Sequence, residues 1–453
     1  MLFRSGFSKA DIKREARIAD NQEDMAGPAR LVYRFAKTSG IAYGSLYFDL
    51  ANVPREHLPW LGLLKACFAV INTKKHSYRE LFDLISETTG GLYMSLESFQ
   101  KPEGPLNAYV KVSAKALTGK WADTAGLIRE ICLESLFEDE KRLSEILAET
   151  GIMLKQMITM AGHRAAVGRA TSYFSEAARL AEMTGGIEFL RFVEDLTAHF
   201  DSKKEEAMAM LKKVAEEVFT QDGMLINLSC EEEAFPALKE VLAGLAAAFP
   251  KDPARRFLLD QPEKKNEGFK TTGGVSYVAH CGSFIKAGPY TGSLKVLQNI
   301  LSTDYLWQNL RVLGGAYGAM CNFTINGPSY FVSYRDPNIS STEAAYQRIP
   351  AYIESLELPE EVLSSFIIST IGNMDFPYTP SVQGTIDFGC YMNGITPSFQ
   401  QKERDAVIDC SLADLKALVP YVQAILEDNY FCTVGSGMKI EEEKQFFDHT
   451  ENL

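Results

Sequence analysis

The sequence predicts an α+β chain of two tandem domains, each an antiparallel sheet covered by helices on one face. Three observations lead there. One order of elements, running strand, long helix, double glycine, strand hairpin, helices and closing strand, is legible twice along the chain. The hairpins lie beside helix pairs instead of alternating singly with helices, which disfavours a parallel sheet. Finally, 453 residues with 46% hydrophobic and 23% charged content exceed what one core normally supports.

Each half opens on a strand rich in aromatic and β-branched residues. Gly40-Ile41-Ala42-Tyr43-Gly44-Ser45-Leu46-Tyr47-Phe48 has its counterpart in Gly274-Val275-Ser276-Tyr277-Val278-Ala279-His280-Cys281. The helical patterns that follow, Leu58 to Thr88 and Gly292 to Leu313, carry apolar residues at mixed three- and four-residue spacing. Both run into a double glycine, Gly90-Gly91-Leu92-Tyr93 and Gly314-Gly315-Ala316-Tyr317, which ends a helix and permits a sharp turn into a strand. In the second half Tyr317 to Ile325 and Tyr330 to Arg335 flank Asn326-Gly327, a dipeptide suited to left-handed turn backbone. Lys101-Pro102-Glu103-Gly104-Pro105 serves as the turn in the first half.

Asp336-Pro337 breaks the second hairpin, and Ser340-x-x-Glu343 has the form of a capping box opening a helix through Glu354. Trp121 to Leu136 is its counterpart. Closing strands follow acidic turns, Met224 to Leu228 after Asp222-Gly223 and Tyr430 to Val434 after Asp428-Asn429. Between the halves, Pro250-Lys251-Asp252-Pro253 and the charged run Gln261 to Gly268 read as an exposed linker. The expected division is a first domain over 1–248, a linker over 249–272 and a second domain over 273–453.

Net charge is −13 with a pI near 5.2, and there is no compensating basic run, so a nucleic-acid partner is not expected. The eight cysteines are scattered, without a C-x-x-C pair, and several sit in apolar runs. They read as small buried hydrophobes of a reducing, cytoplasmic setting. The opening Met1-Leu2-Phe3-Arg4-Ser5-Gly6 leads into the charged stretch Asp11 to Ala16, and no run of 18 apolar residues occurs. Neither secretion nor a membrane partner is expected. Phosphate-binding loops and the G-x-S-x-G elbow are absent, which leaves nucleotide and serine-hydrolase chemistry without support.

The segment Leu310-Arg311-Val312-Leu313-Gly314-Gly315-Ala316-Tyr317-Gly318, continued by Ser333-Tyr334-Arg335-Asp336-Pro337-Asn338, closely resembles the C-terminal half of presequence-protease-type members of the pitrilysin/insulinase zinc metallopeptidases. Asp11 to Ala16, Tyr47-Phe48-Asp49-Leu50 and Thr89-Gly90-Gly91 extend the resemblance over nearly the whole chain. It implies the third and fourth α+β domains of a four-domain enzyme whose N-terminal half binds zinc through an inverted H-x-x-E-H motif. The C-terminal half of such an enzyme closes over that site to enclose unfolded peptides. The motif is missing here. No two of His57, His76, His163, His199, His280 and His449 lie one helical turn apart, as zinc sites of this class require. No metal or cofactor is therefore expected on this chain, and zinc is expected in a catalytic half supplied by the same polypeptide or by a separate one.

The resemblance further implies that Arg311 and Tyr317 contribute to substrate binding at the catalytic centre. Their placement agrees, because Arg311 falls in the last helical turn and Tyr317 begins the emerging strand, so both can face one cleft. A guanidinium binds a peptide carbonyl or carboxylate with fixed geometry, and a phenol donates to a forming oxyanion. The alternative for Arg311 is the favourable charge of any helix C-terminus, and for Tyr317 simple strand packing. Ser333, Tyr334 and Arg335 are further candidates, on a second hairpin strand offering backbone groups to an extended peptide. Two functions follow: a chain inactive alone that is half of a zinc endopeptidase, or a peptide-binding scaffold subunit that kept the fold and lost catalysis.

Overall fold

Residues 8–252, 259 and 261–453 are described in the computed structural model. The opening six residues and Pro253 lie outside them. The strands Gln22–Ala26 (β1), Ala29–Phe35 (β2), Ile41–Asp49 (β3), Leu92–Gln100 (β4), Leu106–Leu117 (β5) and Leu225–Cys230 (β6) form one sheet in the order β1-β2-β6-β3-β5-β4. A second sheet contains Glu267–Thr271 (β7), Tyr277–Ser283 (β8), Gly318–Phe323 (β9), Pro328–Tyr334 (β10), Tyr430–Ser436 (β11) and His449–Asn452 (β12), ordered β12-β7-β11-β8-β10-β9. Both sheets are mixed. The antiparallel hairpins expected from sequence are joined to parallel pairings of β2 with β6 and of β11 and β12 with β7.

Two local expectations are corrected. The charged run ending the expected linker continues into β7, where Glu267 is 3% exposed and Gly268 is buried. Its polar sequence hides a strand because the pairing comes from backbone groups and the Glu267 carboxylate has a half-buried arginine partner. Ser340 and Glu343 do not form a capping box. Glu343 turns inward, with both carboxylate oxygens 3.0 Å from Nδ1 of the fully buried His280, while the Ser340 N–H donates to Glu443. The long helical patterns are also divided: Leu58–Cys67 is separate from Tyr78–Thr88, and Ser340–Gln347 from Ile349–Glu354.

Each sheet is covered on both faces, one of them by the other half of the chain. On the first sheet, Tyr47, Phe99 and Tyr109 pack against Phe388 of the helix Pro380–Met392, with Tyr47 and Phe388 ring centroids 4.6 Å apart. On the second, the helix Gly162–Thr171 lies across β8, β10 and β11. This explains why β8 and β11 are buried at almost every position instead of alternately. Residues 12–21 add an extended strap across the helices Pro380–Met392 and Pro397–Ile408. Arg404 donates to the Lys13 carbonyl, the Ala16 and Ala19 N–H groups donate to Gln401 and Gln400, and Arg14 pairs with Asp409.

A charged cluster sits at the junction. Arg169 makes a two-pronged contact to Glu267 at 2.6 and 3.0 Å, and the Tyr173 hydroxyl donates to the same carboxylate at 2.7 Å. Glu182 lies 3.5 Å from Arg169, and Arg179 pairs with Glu188. No helix among the described residues is long and apolar enough to cross a membrane, and the eight cysteines are free, seven of them buried.

Candidate functional site at the β9 edge

The helix Ser293–Ile300 continues through Leu301–Tyr305 and Trp307–Leu313 in the wider π winding, a rare form that marks functional positions more often than chance. Wider winding brings residues four apart nearly into line. The Arg311 guanidinium carbon accordingly lies 4.2 Å from the Trp307 ring centroid. The chain then reverses at Gly315, whose φ of +82° favours glycine, and the Ala316 N–H donates to the Leu310 carbonyl at 2.8 Å. Tyr317 emerges next, with its N–H on the Tyr334 carbonyl at 3.0 Å and its ring 5.1 Å from the Arg311 guanidinium.

Arg311 thus stands between two aromatic rings, and its Nη1 donates to the Tyr317 carbonyl at 2.6 Å. Tyr317 is 63% exposed and Trp307 45%. The structure brings three of the four expected substrate-binding residues together, since the Tyr334 ring lies 6.0 Å from that of Tyr317. The fourth is separated from them. Ser333 is fully buried on the opposite face of the sheet, where its hydroxyl accepts from the Val278 N–H at 3.2 Å. Nor does β10 offer backbone to a peptide, because it is paired on both sides, with β8 and β9. The edge strand beside β10 is β9, the opposite edge of the sheet being β12. Alternation along a strand sends Ser333 and Tyr334 to opposite faces, so adjacent positions cannot share one site through their side chains.

Sequence reasoning missed the other half's contribution. His163 and Tyr277 pack on Tyr334 with ring centroids 5.0 and 5.4 Å away, and His163 comes from the helix Gly162–Thr171 of the first half. Burial, with the nearby Arg164 charge, holds the His163 imidazole below its ordinary range. The Tyr277 hydroxyl donates to the Thr159 carbonyl at 3.3 Å. No sequence signal marks His163 as part of this cluster. Trp307 is legible afterwards, standing four positions before Arg311 on one helix.

Among the described residues no group of three or more histidines, cysteines or carboxylates is arranged to hold a metal ion. Four of the six histidines, His57, His76, His199 and His280, each face a carboxylate within about 3 Å. These residues do not fit zinc.

Comparisons with known proteins bear on the family and the fold. Residues 7–196 match the family of segments associated with peptidases of family M16, subfamily C, and residues 266–432 match the PreP C-terminal domain. The chain belongs to the M16 peptidases, in the presequence-protease branch, and corresponds to the C-terminal half of such a protein. It is 32% identical over 451 residues to Protein HypA of Clostridium perfringens, covering 98% of this chain and 46% of that protein. It is 25% identical over 421 residues to Presequence protease 1, chloroplastic/mitochondrial, of Arabidopsis thaliana, covering 91% and 39%. The chain therefore spans less than half the length of these relatives. Among solved structures, the peptidase M16 inactive domain from Pseudomonas fluorescens superposes with a TM-score of 0.64 at 14% identity, covering 92% of this chain and 98% of that one. The periplasmic protease PqqL from Escherichia coli gives 0.57 at 13%, covering 94% and 47%. At such identities these structures establish the shared fold alone.

Proposed function

We infer that this chain is the non-catalytic half of a zinc endopeptidase that encloses and degrades short unfolded peptides, presenting Arg311 and Tyr317 to a substrate held at a metal site on another half. The observation that carries this reading is the exposed Trp307–Arg311–Tyr317 stack beside the open edge of β9. Stacking fixes the guanidinium without neutralising it, so it remains a strong donor for a peptide carbonyl. Tyr317 is exposed beside the same guanidinium, and its hydroxyl would donate to charge developing on a scissile carbonyl. An extended peptide can pair with the β9 backbone, while β10 supports it from behind.

The test is reconstitution with a relative's half that carries H-x-x-E-H. Arg311→Ala and Tyr317→Phe are each expected to lower kcat/KM for short peptides by about tenfold or more, on the order of what one lost charge-assisted donor costs. Neither change should cost more than about 1 kcal/mol of folding stability, since the helix-end contribution of an arginine is ~0.3–1 kcal/mol. Wild-type kcat/KM in both variants would remove the substrate-contact role. A mixture inactive in every form, although the chain binds peptides, would favour the scaffold alternative.

A further inference from the structure

Arg335 is held in a left-handed backbone conformation, φ +50°, that glycine or asparagine adopts at lower cost. Strain of this kind clusters at functional positions. The side chain is also unusual. Its guanidinium carbon lies 5.8 Å from the Tyr334 ring centroid, and the neighbouring phenols of Tyr277 and Tyr334 favour its charged form, with no carboxylate among its partners. Nearby Arg164 is exposed, at the start of the helix Gly162–Thr171, and acts electrostatically on His163 and Tyr330. Among the described residues neither Arg164, Arg311 nor Arg335 has a carboxylate partner, whereas Arg14, Arg34, Arg142, Arg169, Arg179, Arg191 and Arg404 each have one. Arg311 beside Tyr317 and Arg335 beside Tyr334, with Arg164 next along the helix to His163, make a positive, aromatic patch in a chain whose net charge is −13. His163 adds a buried Nδ1 with no hydrogen-bond partner, directly against Tyr334.

We propose that the cluster of Arg335, Arg164, Tyr277, Tyr334 and His163 binds a carboxylate group of the peptide, on the far side of Tyr334 from Arg311. This rests on the peptide-binding reading above and extends it to substrate class. Arg311 and Tyr317 hold the backbone near the β9 edge, while Arg335 fixes the position of an acidic group along it. The left-handed turn at Arg335 serves this by lifting the guanidinium over the Tyr334 ring at the end of β10, instead of leaving it in line with the strand. The carboxylate has two sources, the C-terminal end of a peptide chain or an aspartate or glutamate side chain, and both present the same planar pair of oxygens to a guanidinium.

The experiment uses the purified chain and three labelled versions of one short unstructured peptide, read by fluorescence anisotropy. They are a free C-terminal acid, its C-terminal amide, and an amide carrying one internal glutamate. The acid is expected to bind about tenfold or more tightly than the plain amide, as a charge-assisted hydrogen bond warrants. Arg335→Gln should bring that ratio close to one, Arg335→Lys should keep part of it, and Arg311→Ala should weaken acid and amide alike. Recovery of affinity by the internal glutamate assigns the site to side-chain carboxylates, and no recovery assigns it to chain ends; either supports the proposal. Equal binding of the acid, the plain amide and the glutamate-bearing amide to the unaltered chain overturns it and leaves the peptide-binding reading standing, as does a carboxylate preference that survives Arg335→Gln. Failure of all three peptides to bind overturns both.

Discussion

At the scale of single residues, the site is made of side chains whose local geometry departs from what stability alone favours. Arg335 in left-handed backbone is the clearest case. Replacing it with glycine relieves that conformation, and an exposed arginine contributes little packing in return. Arg335→Gly is therefore expected to raise the melting temperature slightly while weakening peptide binding, a split visible by pairing thermal denaturation with anisotropy. A fall in both would show that the side chain is structural. Ser333 illustrates the opposite case. It belongs to the same resembling segment as Tyr334, yet it faces the core and accepts from the Val278 N–H. Membership of a motif says nothing about which face of a strand a residue occupies, whereas alternation does.

At the scale of elements, two joins position the cluster. The first is the π-wound stretch Trp307–Leu313, which aligns Trp307 with Arg311. Apolar spacing in the sequence announces a helix there but not its wider winding, because that depends on which carbonyl each N–H reaches. The hairpin turn shows the same limit: only Gly327 of the Asn326-Gly327 pair is left-handed, φ +104°, and the connection spans four residues between β9 and β10. The second join is the contact of the helix Gly162–Thr171 with β8. A Cβ at Gly162 would collide with the ring of Tyr277, whose hydroxyl is tied to Thr159. Gly162→Ala is expected to cost ~1–3 kcal/mol through overpacking, read from urea unfolding, and to loosen Tyr277 beneath Tyr334. A neutral or stabilising result would mean that the ring moves freely and that this contact does not set the site.

For the whole molecule, the notable feature is reciprocity: each half lends a helix to the outer face of the other's sheet. The junction cluster of Arg169, Arg179, Glu182, Glu188 and Glu267 holds three carboxylates against two arginines. Burial of Glu182 raises its pKa above the ordinary 4.5, opposed by the charge of Arg169. The sign follows from linkage. A carboxyl whose folded pKa is raised contributes stability that is fully present below about pH 4.5 and is lost as pH climbs through the folded value. Glu182→Gln, which keeps an acceptor for the Glu188 N–H, is expected to flatten this part of the profile and to stabilise the chain at neutral pH. Denaturant midpoints measured from about pH 4 to pH 8 test it. An unchanged slope would show that the proton resides elsewhere in the cluster.

The amino-acid sequence by itself determined the α+β class, the positions of most hairpins and double glycines, and the Arg311 and Tyr317 pairing. These follow from periodicity, turn chemistry and a local run of residues, all of which act over a few positions. Only the tertiary structure decided that β7 lies inside the expected linker, that β9 and not β10 is the edge strand beside the site, and that Ser333 is buried. It also decided that His163 and Arg164 of the first half join Tyr334 and Arg335 of the second. Those features depend on pairings between distant segments, from the 55 residues between Val278 and Ser333 to the longer spans that join β7 to β11 and His163 to Tyr334, where backbone hydrogen bonds and shared burial choose the partners and no local pattern records them.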